Sequence, residues 1–243
     1  MKERLDRLVV ERCGIADSEL ARRLIMAGKV RVDGQVVDKP GTGVSPDAEV
    51  AVEADEPFVS RGGSKLEGAL DAFAVDPAGR DALDVGASTG GFTDCLLRRG
   101  ARRVVAVDVG YGQFEWRLRQ DERVTLLERT NARHLEPSDL PFPPDLAVID
   151  VSFISLRLVL PAVVAVMTRP GEIVALVKPQ FEVERGQVGK GGVVRDPALH
   201  ASAVASVRDF ATGIGWSVAA VCESPLVGPK GNKEFFIHAI APG

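Results

Sequence analysis

The sequence has no apolar run long enough to cross a bilayer. The longest, Leu158 to Met167, is broken by Pro161 and falls short of the about 20 residues a spanning helix needs. The first residues, MKERLDRL, carry charges where an export signal would carry an apolar stretch, so a cytoplasmic protein with no membrane partner is expected. Cysteine is scarce. Cys13, Cys95 and Cys222 are odd in number, far apart and set among apolar neighbours, which fits reduced core thiols and argues against a disulfide framework. His134, His200 and His238 show neither ligand spacing nor carboxylate companions, so no metal site is expected. A global positive field is missing too, because 30 Lys and Arg stand against 34 Asp and Glu, a net charge of −4.

What is present is 243 residues at 45% hydrophobic content, enough for one substantial core and a small second module. Charge is unevenly placed. Up to Arg31 the bases Lys2, Arg4, Arg7, Arg12, Arg22, Arg23, Lys29 and Arg31 outnumber the acids, whereas from Asp33 to Glu56 seven acids face only Lys39. Positive charge is therefore gathered on the first two helical segments, which suggests one basic face on a small module.

In LDRLVVERCGIADSELARRLIMAGKVRVDGQVV, Leu5, Leu8 and Val9, then Leu20, Leu24 and Ile25, recur at helical spacing and predict two short helices. Asp17 or Ser18 caps the second, and Gly28 supplies the left-handed residue that ends it. Asp33-Gly34 between β-rich runs signals a hairpin, and AEVAVE a further strand. This stretch, about residues 3 to 52, resembles the S4 RNA-binding domain: two helices with paired arginines, then G-x-V-x-V-D-G and a following lysine. The resemblance implies RNA contact through Arg4, Arg22, Arg23, Lys29 and Arg31, of the phosphate-gripping kind that positions without reading sequence. A plain solvated helix face is the competing reading.

The expected organisation is an S4-like domain over 1–52, an acidic linker over 53–60 (EADEPFVS) and a larger domain over 61–243. In the larger domain ALDVG, RVVAVDVG, VTLLE, LAVIDVS and EIVALVK alternate with amphipathic helical stretches, which predicts an α/β, Rossmann-like sheet, mostly parallel and covered on both faces. WSVAAVCE and KEFFIHAI have no helix between them and should pair antiparallel at one edge. The glycine-rich ERGQVGKGGVVRD is either a mobile substrate loop, offering Arg185, Lys190 and Arg195 to phosphates, or a merely disordered surface loop.

DVGASTGGFTD joins the first strand to a helix that begins near Gly91. A nucleotide-triphosphate loop would need a lysine where Phe92 stands, and a dinucleotide turn a second glycine where Ala87 and Ser88 stand. S-adenosylmethionine fits better, having no phosphate. Asp84 would meet its ammonium directly or through water, Gly86, Ala87 and Ser88 with Thr89 and Gly90 would admit the methionine portion, and Asp108, ending the next strand, would accept the ribose hydroxyls. Asn131 either approaches the adenine edge or caps an ordinary turn.

Four charged residues remain. Lys65 begins the helix before the first strand, Asp150 and Lys178 end parallel strands, where open α/β sheets place their sites, and Glu234 enters from the last strand. An unpaired buried charge is costly, so apolar strands ending this way are informative. These residues resemble the lysine-aspartate-lysine-glutamate tetrad of 2′-O-ribose methyltransferases. With the S4-like part, and with SRGGSKL, DVGASTGGFTD, VAVDVGYGQ, ERTNAR, VIDVSFISL, LVKPQFE and GNKEFF, the chain resembles the hemolysin-A-related bacterial ribosomal RNA cytidine 2′-O-methyltransferases over essentially its whole length. The resemblance implies a catalytic tetrad of Lys65, Asp150, Lys178 and Glu234, S-adenosylmethionine as cofactor and ribosomal RNA or ribosomal subunits as partner. An inactive RNA-binding assembly factor and a cell-lysing protein are the competing classes.

Overall fold

The computed structural model describes residues 2–52 and 57–241, so Glu53 to Glu56 of the expected linker lie outside the described residues. The chain divides into two compact units, Met1–Glu56 and Pro57–Gly243.

In the smaller unit, β1 (Glu3–Arg4) leads into α1 (Leu5–Cys13), α2 (Ser18–Met26), β2 (Val30–Val32), β3 (Gln35–Val36), β4 (Gly43–Val44) and β5 (Val50–Val52). Asp17 is the residue that caps α2, its carboxylate accepting from the Leu20 amide at 2.8 Å. Gly28 follows the helix at φ +70. Asp33 and Gly34 both take positive φ, which turns β2 back on β3, and β5 pairs with the other edge of β2. Leu5, Leu8, Val9, Ala21, Ile25 and Val30 close the core between helices and sheet. The small β1–β4 pair was not anticipated, since two-residue strands leave no periodicity to read.

The larger unit begins with α3 (Arg61–Phe73) and continues β6 (Asp81–Val85), α4 (Gly91–Arg98), β7 (Arg103–Val107), α5 (Trp116–Arg119), β8 (Val124–Leu127), β9 (Leu146–Ile149), α6 (Leu160–Val166), β10 (Gly171–Val177), α7 (Pro179–Glu182), α8 (Pro197–Gly213), β11 (Ser217–Glu223) and β12 (Phe235–Ala241). Seven strands form one sheet in the order β11-β12-β10-β9-β6-β7-β8. The five strands from β10 to β8 are parallel, and β12 runs antiparallel to both its neighbours. The last two strands thus pair as expected, but β12 lies inside the sheet and β11 forms the edge. Their sequences explain the order: FFIHAIA is mostly buried, whereas β11 alternates exposed and half-buried residues. Pro161 opens α6 rather than breaking it, because the first helical turn has no use for the missing amide hydrogen. One face of the sheet packs Leu83, Val105, Ile149 and Trp216, the other Leu66, Leu96 and Phe236. Among the described residues no helix is long and apolar enough to cross a membrane.

Candidate active site

The carboxyl ends of β6, β7, β9 and β10 converge with the first turns of α3 and the start of β12. Glycine makes this crowding possible. At Gly86, φ is +86 and a side-chain carbon would lie 2.4 Å from the Asp150 carbonyl, so only glycine lets the β6 turn pass β9. A side-chain carbon on Gly91 would lie 2.2 Å from the Ser60 hydroxyl and 2.9 Å from the Gly63 amide. The glycines of SRGGSK and STGGF therefore bring α3, with Lys65 in its second turn, against the start of α4.

Two cavities of about 490 Å³ each meet there and share Gly86, Ser88 and Asp150. The first is further lined by Ala87, Thr89, Phe92, Arg61 and Lys65. The second is lined by Asp108, Gln113, Asn131 and Val109, and by Ser152 and Phe153 beyond β9.

The four tetrad positions assemble as two ion pairs. Lys65 Nζ donates to Glu234 Oε2 at 2.5 Å, and Lys178 Nζ lies 2.5 Å from Asp150 Oδ1. Lys65 and Asp150 line the same cavity. Both lysines are buried, at 9% and 8% exposure, and Glu234 is 1% exposed. Gly228 is needed for the Glu234 carboxylate, since a side-chain carbon there would meet Oε1 at 2.1 Å. Each ammonium touches a carboxylate, so the site is electrically balanced, as buried charges require.

Of the positions expected to meet a cofactor, Gly86, Ala87, Ser88, Thr89, Asp108 and Asn131 line a cavity, whereas Asp84 and Gly90 line neither. Asp108 accepts from the Ser88 amide at 2.8 Å and the Gly110 amide at 2.6 Å, which fixes the β6 turn against the β7 turn. Asn131 caps a short turn by accepting from the Arg133 amide at 3.1 Å, and it lines the second cavity. Gly90, at φ +94, leaves room for Leu118, which a side-chain carbon would approach to 2.6 Å. The expected direct contact from Asp84 is corrected. Its carboxylate is fully buried beneath the turn, bonded to the Thr93 hydroxyl at 2.6 Å, with Oδ1 lacking a partner among the described residues. Burial, then the negative charges of Asp150 and Asp108, push its pKa up to about 7 against the opposing Thr93 hydrogen bond.

The donor set therefore suits a cation. Asp84, Asp108 and Asp150 surround the turn, and no lysine stands where a phosphate-binding loop would carry one. A sulfonium compound with an ammonium group and ribose hydroxyls fits this field, and a polyphosphate does not.

Three contributors escaped the sequence reading. Ser152 accepts from Lys178 Nζ at 2.8 Å. Glu182 is buried, accepts from the Ser155 hydroxyl at 2.6 Å and the Leu156 amide at 2.7 Å, and so ties the segment after Asp150 to the one after Lys178. Asn232 is buried and accepts from the Val194 amide at 3.1 Å while donating to the Gly192 carbonyl at 3.0 Å. The only available signal was position, two residues after one tetrad member, four after another and two before a third. The glycine-rich segment is tethered at 192–194 by Asn232 and His200, and Val193 and Val194 are buried. Its cations are dispersed. Arg185 lines a recess with Phe153 and Phe181, Lys190 is exposed, and Arg195 lines a groove with Arg208 and Lys233.

In the smaller unit, Arg4 donates to Asp6 at 3.0 and 2.8 Å and Arg22 donates to it at 3.1 Å. Asp6 is 2% exposed, and hydrogen bonding from Arg4, aided by Arg22, holds its carboxyl below the usual range despite burial. Arg23 is exposed on the same helix as Arg22. Lys29 and Arg31 are half-buried at the start of the hairpin, where Arg31 donates to the Gly34 carbonyl at 3.2 Å.

Sheet order, glycine turn and acidic strand ends define a Rossmann-like methyltransferase. The N-methyltransferase NodS from Bradyrhizobium japonicum WM9 shares this fold at TM-score 0.53 and 14% identity, over 75% of this chain and 95% of that one. The chain belongs to the FtsJ-like methyltransferase family, which matches residues 58–240, and residues 3–50 match the S4 domain. It is 54% identical to the 16S/23S rRNA (cytidine-2′-O)-methyltransferase TlyA of Mycobacterium tuberculosis, over 97% of this chain and 89% of that protein. Hemolysin A of Brachyspira hyodysenteriae is 37% identical over 98% and 99% of the two chains. A solved structure from Streptococcus thermophilus that carries the label hemolysin is 44% identical, with TM-score 0.78 over 99% of this chain and 89% of that one.

Proposed function

We propose that the protein transfers a methyl group from S-adenosylmethionine to the ribose 2′-hydroxyl of a cytidine in ribosomal RNA, of the small or the large subunit, in the cytoplasm. The observation that carries this reading is the pair of lysine-carboxylate contacts, Lys65–Glu234 and Lys178–Asp150, of which Lys65 and Asp150 line a cavity that the glycine turn also lines. The relatives' names supply the acceptor class.

When bound, S-adenosylmethionine supplies a methyl carbon made electrophilic by its sulfonium. Asp108 and Asn131 would hold the nucleoside end in the second cavity, and the Gly86–Thr89 turn, with the charge of Asp84 behind it, the amino-acid end. A ribose hydroxyl is a weak nucleophile, so its proton must leave as the new oxygen–carbon bond forms. Lys178 takes that proton and ends as an ammonium beside Asp150. Asp150 orients the amine and offsets its charge, while Lys65, fixed by Glu234, donates to the acceptor oxygen and holds it in line. The smaller unit would grip RNA phosphates through Arg4, Arg22, Arg23, Lys29 and Arg31, with Arg185, Lys190 and Arg195 adding contacts from the larger one.

Labelled methyl transfer to ribosomal subunits, with fragment mapping of the product, tests the reading. A 2′-O-methylcytidine made by the wild type and lost in Lys178→Ala and Lys65→Ala, both still binding cofactor, is the expected result. Normal turnover by either variant would remove the assignment.

A further inference from the structure

A neutral primary amine carries two N–H bonds and one lone pair. To act as a base it must aim the lone pair at the incoming proton, yet the end of a lysine rotates freely about its last carbon–nitrogen bond. One acceptor restricts that rotation incompletely, because the second N–H and the lone pair can still exchange places. One acceptor together with a nearby carboxylate, which repels the lone pair, removes the ambiguity.

Lys178 has both. Its Nζ donates to Ser152 Oγ at 2.8 Å and lies 2.5 Å from Asp150 Oδ1 as an ion pair. Lys65, by contrast, meets Glu234 alone among the described residues. Asp150 and Ser152 come from one short segment, and that segment is clamped. Glu182 binds it at Ser155 and Leu156, Phe153 next to Ser152 takes φ +64, a conformation side chains rarely adopt, and its ring packs on Phe181 at 5.3 Å between centroids. The Ser152 side chain is therefore held at a set distance from Lys178 by neighbours on both segments. Ser152 also lines the second cavity, beside Asp150.

We propose that Ser152 is a positioning residue for methyl transfer: it accepts one N–H of Lys178 while the Asp150 carboxylate beside the same nitrogen repels the lone pair, which leaves the lone pair one direction, toward the acceptor hydroxyl. The hydroxyl proton passes to Nζ, the oxygen–carbon bond forms, and the carbon–sulfur bond breaks with its electron pair remaining on sulfur. Ser152 accepts from the same nitrogen before and after the proton arrives, so it neither gains nor loses one. This inference rests on Lys178 being the base.

The test compares full-length wild type with Ser152→Ala, Ser152→Thr and Lys178→Ala in single-turnover methyl transfer to ribosomal subunits, with S-adenosylmethionine binding measured by calorimetry. Ser152→Ala should lower the chemical rate on the order of 10-fold, the scale of a misaligned catalytic group, with KM for RNA and cofactor affinity within about twofold of wild type. Ser152→Thr keeps the hydroxyl and should recover most of the rate. An inactive Lys178→Ala beside a fully active Ser152→Ala would overturn the role of Ser152 while sparing Lys178 as the base. An active Lys178→Ala would overturn both. Equal losses in the alanine and threonine variants, with weakened cofactor binding, would show Ser152 to be merely structural and overturn the proposal.

Discussion

Both units use a buried carboxylate to hold a cation, but they present the cation oppositely. In the smaller unit Asp6 lies inside while the guanidinium groups of Arg4 and Arg22 that it fixes are more than half exposed. In the larger unit Glu234 and Asp150 hold lysines that are themselves nearly buried. A guanidinium that stays charged and faces water is suited to gripping a polyanion, and an enclosed amine beside a cavity is suited to moving a proton. The difference teaches that a carboxylate-held cation is suited to binding or to chemistry according to its side-chain type and its burial together.

The largest effect expected from breaking this contrast is in the larger unit. Lys178→Ala should reduce methyl transfer by about 10²- to 10⁴-fold, the range of a lost general base, with cofactor binding intact by calorimetry. Next comes Gly86→Ala. Its side-chain carbon cannot coexist with the Asp150 carbonyl 2.4 Å away, and positive φ adds strain, so cofactor affinity should fall at least about 10-fold and thermal stability by about 1–3 kcal/mol, read by calorimetry and melting. A proton-linked effect at Asp84 should be smaller. Its carboxyl is neutral in the folded protein below about pH 7, so it binds more protons folded than unfolded, and its contribution to stability falls as pH rises from the ordinary carboxylate range through about 7. A cationic ligand favours the ionised form. Cofactor affinity should therefore strengthen as pH rises through about 7, with proton release seen by calorimetry in buffers of different ionisation enthalpy, and Asp84→Asn should flatten the profile. Smallest is Asp6→Asn, which should loosen Arg4 and Arg22 and weaken RNA binding only a few-fold, with a shallower salt dependence and an unchanged rate at saturating RNA.

Much of the fold was legible because its signals are local. Continuous apolar runs marked the parallel strands, Asp33-Gly34 marked the hairpin, and STGGF marked the start of α4. Asp150 and Lys178 were legible as charges at the ends of apolar strands, which is energetically odd unless each is paired, whereas Lys65 and Glu234 drew their meaning from the family resemblance. Ser152, Glu182 and Asn232 were not legible, because a serine, a glutamate and an asparagine in loops carry no periodicity and acquire their meaning from partners 26, 27 and 38 residues away. Asp84 was read as a ligand contact because it ends the first strand, but whether such an end faces the cavity or the core depends on the turn above it.

The sequence by itself determined the alternation of strands and helices, the glycines at the crowded turn and the segregation of basic residues to the first helices, since backbone sterics and hydrophobic spacing act within a few residues. Only the tertiary structure decided that β12 enters the sheet beside β10, that Lys65 meets Glu234 across 169 positions, and that Lys178 meets Ser152 as well as Asp150. Pairings of that range follow from how the layers pack around a shared core, a property of the whole chain at once.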